Sequence, residues 1–317
     1  MSGIEIHRYM PEQADAWNAF VRASKNGTFL FDRGFMDYHA DRFEDHSLMF
    51  FEAGKIIALL PANRQGDDLV SHGGLTYGGL ISGAKMGAAR MLALFDSLMA
   101  YLRTAGLTTL HYKAIPHIYH DQPAEEDLYA LFRYGADTVR ADVSSTIAIP
   151  HRLPFGSGKK DGVRKARKAG LDVRESRDWA MCWDLLTRVL EDRHDAKPVH
   201  SLAEIELLAG RFPDNIRLFG AFDGGEMVSA LVIFDCGRTV HVQYIASSER
   251  GRQHGGVDVI VQTLLTDVFA GRDWFDFGIS TTEQGRALNE GLVRQKEMFG
   301  ARTTLYQQFR LSLDRTS

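Results

Sequence analysis

Cysteine is nearly absent from this chain of 317 residues. Cys182 and Cys236 are too few for a disulfide framework, and no Cys/His pair has the spacing of zinc ligands. His111, His117 and His120 crowd one stretch, but their spacing fits no standard zinc site, so no metal is expected. Long apolar runs are missing too: none approaches the ~20 residues a membrane-spanning helix needs. The polar N-terminus lacks the charged-then-apolar pattern of a signal peptide. The expectation is a cytoplasmic protein with no membrane insertion. A strong charge bias is also missing. With 37 Lys and Arg against 41 Asp and Glu, the formal net charge is −4, so there is no global pull toward nucleic acid or anionic membrane. Any polyanion must be met locally. Hydrophobic content of 44% and charged content of 25% place the chain among ordinary globular proteins, and its length suits two domains.

What is present is repetition. Phe51–Leu60 reads as strand, tight turn at Gly54 and strand, and Ala221–Val232 repeats the pattern around Gly225. Each copy continues through a further strand and a Gly-containing loop into a helix. A buried-looking strand follows, at Thr108–Tyr112 in the first half and Trp274–Gly278 in the second. Self-similarity at this length predicts a duplicated fold, with chemistry concentrated where the copies differ. They differ at the strand-to-helix loop: residues 73–83 carry no charge, whereas Ser248–Gly256 carries Arg250 and Arg252.

The order of elements predicts an α+β protein, with mixed, mostly antiparallel sheets flanked by helices and one strand–helix–strand crossover per half. Two prolines and two glycines in residues 150–158 mark the expected boundary, giving domains 1–150 and 151–317. A basic run follows: Lys159, Lys160, Arg164, Lys165, Arg167 and Lys168. Lys160, Arg164 and Lys168 share one helical face, suited to phosphates or a tRNA backbone, or simply solvated. No aromatics interleave with it, so base stacking is not expected.

The loop after Tyr244 carries the sharpest signal. A glycine-rich turn between strand and helix offers backbone N–H groups at the positive end of the helix dipole. Arg250, Gly251, Arg252, Gly255 and Gly256 together make it suited to a phosphate or pyrophosphate, the alternative being a surface turn whose arginines face water. Lys197 and His200 precede a helix that Ser201 is placed to cap. His200 is a candidate base near neutral pH, and Lys197 a candidate for holding an anionic acceptor. In the strand around residues 241–244, alternation puts His241 and Gln243 on one face, lining a cleft or forming a satisfied polar pair. Ser280, Glu283, Asn289 and Lys296 gather where the strand ending at Gly278 meets the next helix.

The order strand, helices, hairpin, strand, basic Gly loop, helix, strand resembles the GNAT acyltransferase fold, whose loop grips the coenzyme A pyrophosphate. The familiar signature is Gln/Arg-x-x-Gly-x-Gly/Ala; Arg252 and Gly255 match its first two fixed positions, and Val257 stands at the third. Two such domains in tandem, with the text of residues 241–246, 275–280 and 288–300, resemble the Fem-like branch of the superfamily. The resemblance spans most of the chain and is densest from Lys197 onward. It implies two tandem GNAT-like domains, with the donor in the second: acetyl-CoA or another acyl-CoA, or alternatively an aminoacyl-tRNA. The implied activity is N-acylation of an amino sugar, or its nucleotide-linked form, in cell-envelope polysaccharide synthesis. The alternatives are transfer of an amino acid from tRNA to a cell-wall precursor, and a non-catalytic scaffold that keeps the fold. Such a transfer needs an amine made neutral by a base; Glu283 is the first choice and His200 its rival. Tyr244 falls among the donor-loop residues, while Lys197, His241, Gln243, Ser280, Asn289 and Lys296 form the expected acceptor set. No tyrosine stands evidently in the place of the proton donor often used by single-domain GNAT enzymes.

Overall fold

A computed structural model describes residues 3–194 and 198–313. Lys197 therefore lies outside the described residues. The chain divides into two compact units, Met1–Val143 with Thr281–Ala287 and Leu305–Ser317, and Ser144–Ser280 with Leu288–Thr304. The division falls within a strand, Asp137–Ala148, rather than at the Pro/Gly stretch after it. The reason is pairing: Ser144 to Ala148 hydrogen-bond along Trp274–Ile279 and so belong with the second core.

In the first unit, Glu5–Arg8, Leu48–Glu52, Lys55–Leu60 and Ile81–Ser82 form one antiparallel sheet. A second sheet contains Glu44–Asp45, Asn63–Gln65, Asp68–Val70 and Thr109–Lys113. Asp68–Val70 runs parallel to Thr109–Lys113, and the helix Ala88–Thr104 makes the crossover. That helix turns Met91, Leu94, Phe95 and Leu98 onto the sheet at helical spacing and buries them. The uncharged loop is tied down by Lys113, whose ammonium donates to the carbonyls of His72, Gly73 and Leu75 at 3.1, 3.2 and 2.9 Å.

In the second unit, Asp172–Ser176, Ile216–Asp223, Glu226–Asp235 and Thr239–Ser247 are successive antiparallel neighbours. Thr239–Ser247 then pairs in parallel with Trp274–Ile279. The crossover is made by Glu249–His254, Gly256–Thr263 and a π-helical segment, Leu264–Val268. The repeated hairpins differ in one detail. Gly224 and Gly225 both take positive φ, 58° and 92°, as a two-residue hairpin turn requires, whereas the first copy places Ala53 at φ 49° before Gly54. The second core gathers Leu231, Val240, Phe275 and Phe277 from the central strands and Ile260 and Leu264 from the crossover. Helix Ser157–Lys168 lies outside this sheet, packing Val163 and Ala166 against Val259.

Candidate active site

The arginine loop is a pair of short helices. Ser248 caps the first, its hydroxyl accepting from Gly251 N at 3.1 Å. Gly255, at φ 74°, ends that helix and starts the next at Gly256. Close approach dictates all three glycines. A Cβ at Gly251 would lie 2.2 Å from the Val228 carbonyl, one at Gly256 2.3 Å from Ser229 Oγ, and one at Gly255 2.3 Å from the Gly162 carbonyl. The chain here runs flush against its neighbouring strand and against helix Ser157–Lys168.

A cavity of about 390 Å³ opens beside this joint, walled by Gly251, Arg252, Gly255 and Gly256. Ile245, Phe277, Leu292 and Phe299 supply its apolar lining, and Lys159, Asp258, Gln295 and Lys296 add polar groups. Val257 also reaches it, placing a branched side chain at the third signature position. The two arginines part company. Arg252 lines the cavity and donates to the Ser247 carbonyl at 2.6 Å. Arg250 turns away to pair with Asp223 at 2.6 Å. Helical geometry explains this, since residues two apart on a helix point in divergent directions.

Lys296 reaches the same cavity while almost wholly buried. Its ammonium donates to the carbonyls of Gly278 and Ile279, at 2.8 and 3.0 Å, and to Ser280 Oγ at 2.8 Å. Burial lowers its pKa to about 8, with Asp276 pulling the other way. Two expected residues, Ser280 and Lys296, thus meet, as a tie across the strand end. Asn289 is occupied as a helix cap: its side chain accepts from Leu292 N at 3.0 Å, and its own N–H donates to the Ser280 carbonyl at 2.9 Å.

Strict alternation fails along Thr239–Ser247. The pairing steps from Val232↔Tyr244 to Ile233↔Val242, so Gln243 is the extra residue of a β-bulge. His241 lies buried before the bulge, its Nδ1 2.8 Å from an oxygen of fully buried Asp276, whose other oxygen accepts from Ser144 and Thr146 at 2.5 and 3.1 Å. Beyond the bulge, the Tyr244 hydroxyl accepts from His200 N at 3.2 Å and lies 2.5 Å from His200 Nδ1. Burial, outweighing the bonds from His200 and Gln243, raises the Tyr244 phenol above its usual pKa. Trp183 completes the group: its indole donates to the His200 carbonyl at 3.0 Å and its ring meets Tyr244 edge-on. Tyr244 is thus joined to His200 rather than lining the cavity at the glycine joint, though it directly precedes the cavity residue Ile245.

Glu283 belongs to the other unit. It lies in the segment Thr281–Ala287 of the first unit, exposed, in a turn where it and Gln284 take φ of 50° and 56°. Sequence reasoning missed Lys159, which is buried, pairs with Asp258 at 2.8 Å and lies 4.1 Å above the Phe299 ring. Its spacing to Val163 and Ala166, four and seven residues on, is the signal that turns it inward. Among the described residues, no cluster of His, Cys, Asp or Glu is placed to hold a metal, and no helix is long and apolar enough to cross a membrane.

Residues 158–284 match the family model of the acetyltransferase (GNAT) domain. No curated protein matches the chain. Among solved structures, FemX is similar over 98% of this chain and 98% of its own, at 12% identity and a TM-score of 0.70. L-PGS from Bacillus licheniformis is similar over 98% and 94%, at 12% identity and 0.63. A tandem GNAT protein from the clavulanic acid biosynthesis pathway is similar over 99% and 100%, at 10% identity and 0.50. Domain match and fold agree: residues 158–284 match a GNAT acetyltransferase domain, and the chain as a whole shares the fold of FemX and of a tandem GNAT protein.

Proposed function

We propose that the second unit transfers an acyl group from acyl-coenzyme A to the amine of an amino sugar or its nucleotide-linked form, in cell-envelope polysaccharide synthesis. The observation that carries this reading is the cavity at the glycine joint. It sets Arg252 and a helix start beside the apolar side chains of Ile245, Phe277, Leu292 and Phe299, the combination a pyrophosphate joined to an acyl thioester calls for. Arg252, Gly251, Gly255 and Gly256 take the donor; Arg250, engaged by Asp223, supplies charge from a distance.

In the transfer the acceptor nitrogen attacks the thioester carbonyl, the C–S bond breaks, the nitrogen loses a proton and the thiolate gains one. Little covalent help is needed beyond position and proton traffic. The His200–Tyr244 pair supports both proton transfers, with the imidazole as base and the phenol, kept protonated by its raised pKa, as donor to the thiolate. His200 is preferred to Glu283 because it is held by a tyrosine and a tryptophan, whereas Glu283 sits on an exposed turn. His241, Gln243, Ser280 and Lys296 shape the strand end where the acceptor is expected. Release of free thiol from acetyl-coenzyme A, measured with a panel of amino sugars and nucleotide-linked amino sugars, tests the reading. Acceptor-dependent release that falls at least tenfold in His200→Ala and Tyr244→Phe supports it; no release with any acceptor refutes it.

Val257 favours a second donor, an aminoacyl-tRNA, because its branched side chain narrows the place where the signature has Gly or Ala. Melting curves separate the two. A ligand at a hundredfold its dissociation constant stabilises the fold by about 2.7 kcal/mol. A response to charged tRNA alone selects the second donor; a response to coenzyme A selects the first.

A further inference from the structure

The basic run of helix Ser157–Lys168 is divided by the fold. Lys159 points into the donor cavity, while Lys160, Arg164 and Arg167 border a second cavity of about 540 Å³ on the other side of the helix. Arg152 joins them, and the floor between them is apolar, including Phe155, Val163 and Leu265. We propose that this cavity binds the phosphate headgroup of an anionic phospholipid and docks the protein on a bilayer surface.

Three observations carry the proposal. The first is charge: in a chain of net charge −4, four cations border one cavity, with Asp161 pairing only Arg164. Arg167 bonds the neutral Gln262 at 3.1 Å, so its charge is not cancelled there. The second is the π-helical segment Leu264–Val268 in the cavity wall. There Phe269 N donates to the Leu264 carbonyl at 2.8 Å, one residue further back than an α-helix allows. The Leu265 carbonyl, left over by that shift, accepts instead from Arg152 at 2.9 Å and holds the guanidinium at the rim. The third is the company the charges keep. Leu153, in the cavity lining, is 42% exposed, and Val268, which ends the π segment, is 37% exposed. Phe155 is the one aromatic in the lining, and its ring is engaged edge-on with Phe299. Basic residues beside exposed aliphatic side chains suit a headgroup whose chains remain in the membrane. An RNA strand would call for exposed rings to stack its bases.

The test is co-sedimentation of the full chain with phosphatidylcholine vesicles, with and without phosphatidylglycerol, at low and high salt. Binding to the anionic vesicles alone, weakened by salt, is expected. Each juxtamembrane cation contributes about fivefold, so Lys160→Ala with Arg164→Ala should weaken binding about twenty-five-fold without lowering the melting temperature. Leu153→Ser should weaken binding to vesicles but not to inorganic phosphate. Equal binding by wild type and the double variant would overturn the proposal, as would failure to bind anionic vesicles. A single-stranded RNA oligonucleotide that binds through the same two residues when vesicles do not would overturn it in favour of RNA.

Discussion

Replacing Lys296 by Met keeps the aliphatic stem and removes only the ammonium. In the fold Lys296 is 6% exposed and its ammonium serves three acceptors, Gly278 O, Ile279 O and Ser280 Oγ. Lowering its pKa from 10.5 to about 8 means that burying the charge costs roughly 3 kcal/mol. The variant escapes that cost but leaves three acceptors unpaired, at about 2 kcal/mol each. The net loss at pH 7 is about 3 kcal/mol, a fall of ~6–12 °C in melting temperature for a domain of this size. The sign with pH follows from the proton count. The unfolded chain keeps the lysine proton up to ~10.4, while the fold releases it at about 8. Between these values the unfolded state binds more protons, so wild-type stability rises with pH, by up to ~1.4 kcal/mol per pH unit. Below about 8 both states are protonated and the contribution is flat. The gap between wild type and Lys296→Met should therefore widen by about 2 kcal/mol from pH 7 to 9.5. Lys113, also lowered by burial to about 8, is present in both proteins and cancels. Urea unfolding at the two pH values is the assay. A loss below ~1 kcal/mol at pH 7, or a gap that does not change with pH, would refute the reasoning.

Three other outcomes are expected. Arg252→Ala should weaken coenzyme A binding by roughly tenfold to a hundredfold through one lost charge-assisted contact, while Arg250→Ala, whose side chain is engaged by Asp223, should change it less than threefold; calorimetry would separate them. Gly255→Ala puts a Cβ 2.3 Å from the Gly162 carbonyl at φ 74° and should destabilise the fold by about 2 kcal/mol or more, read as a lower urea midpoint at unchanged slope. Asp276→Ala strips a fully buried carboxylate from His241, Ser144 and Thr146 and should cost about 3 kcal/mol or more by the same measurement.

The repeat, the hairpins and the crossovers were legible because each rests on local pattern: glycines at turns, apolar periodicity in helices, β-branched runs in strands. The boundary at residues 143–144 was not, because it depends on where Ser144 to Ala148 find a partner more than a hundred residues away, at Trp274–Ile279. The same distinction runs through the site. Glycine spacing exposed the joint between the two helices, yet the glycines answer to packing, since a Cβ on each would meet backbone or a buried serine within 2.3 Å. Loop composition treats Arg250 and Arg252 as one feature, but their two-residue spacing on a helix points them apart, and Asp223 on the preceding hairpin engages Arg250 alone.

The bulge at Gln243 is the most instructive failure. Alternation assigns His241 and Gln243 to one face, and nothing in those residues announces an extra member of the ladder, because a bulge belongs to a pair of strands and not to one. Its consequence is a change in burial along the strand. Up to Val242 the strand's side chains are buried, with His241 fixed on Asp276; at Gln243 and Tyr244 they become half-exposed, and the phenol meets His200 from a segment that reads as a mere helix entrance. The pair proposed to move protons, His200 and Tyr244, thus meets just past this break in the ladder. A local break in the sheet is what sets them together beside the strand that leads to the glycine joint.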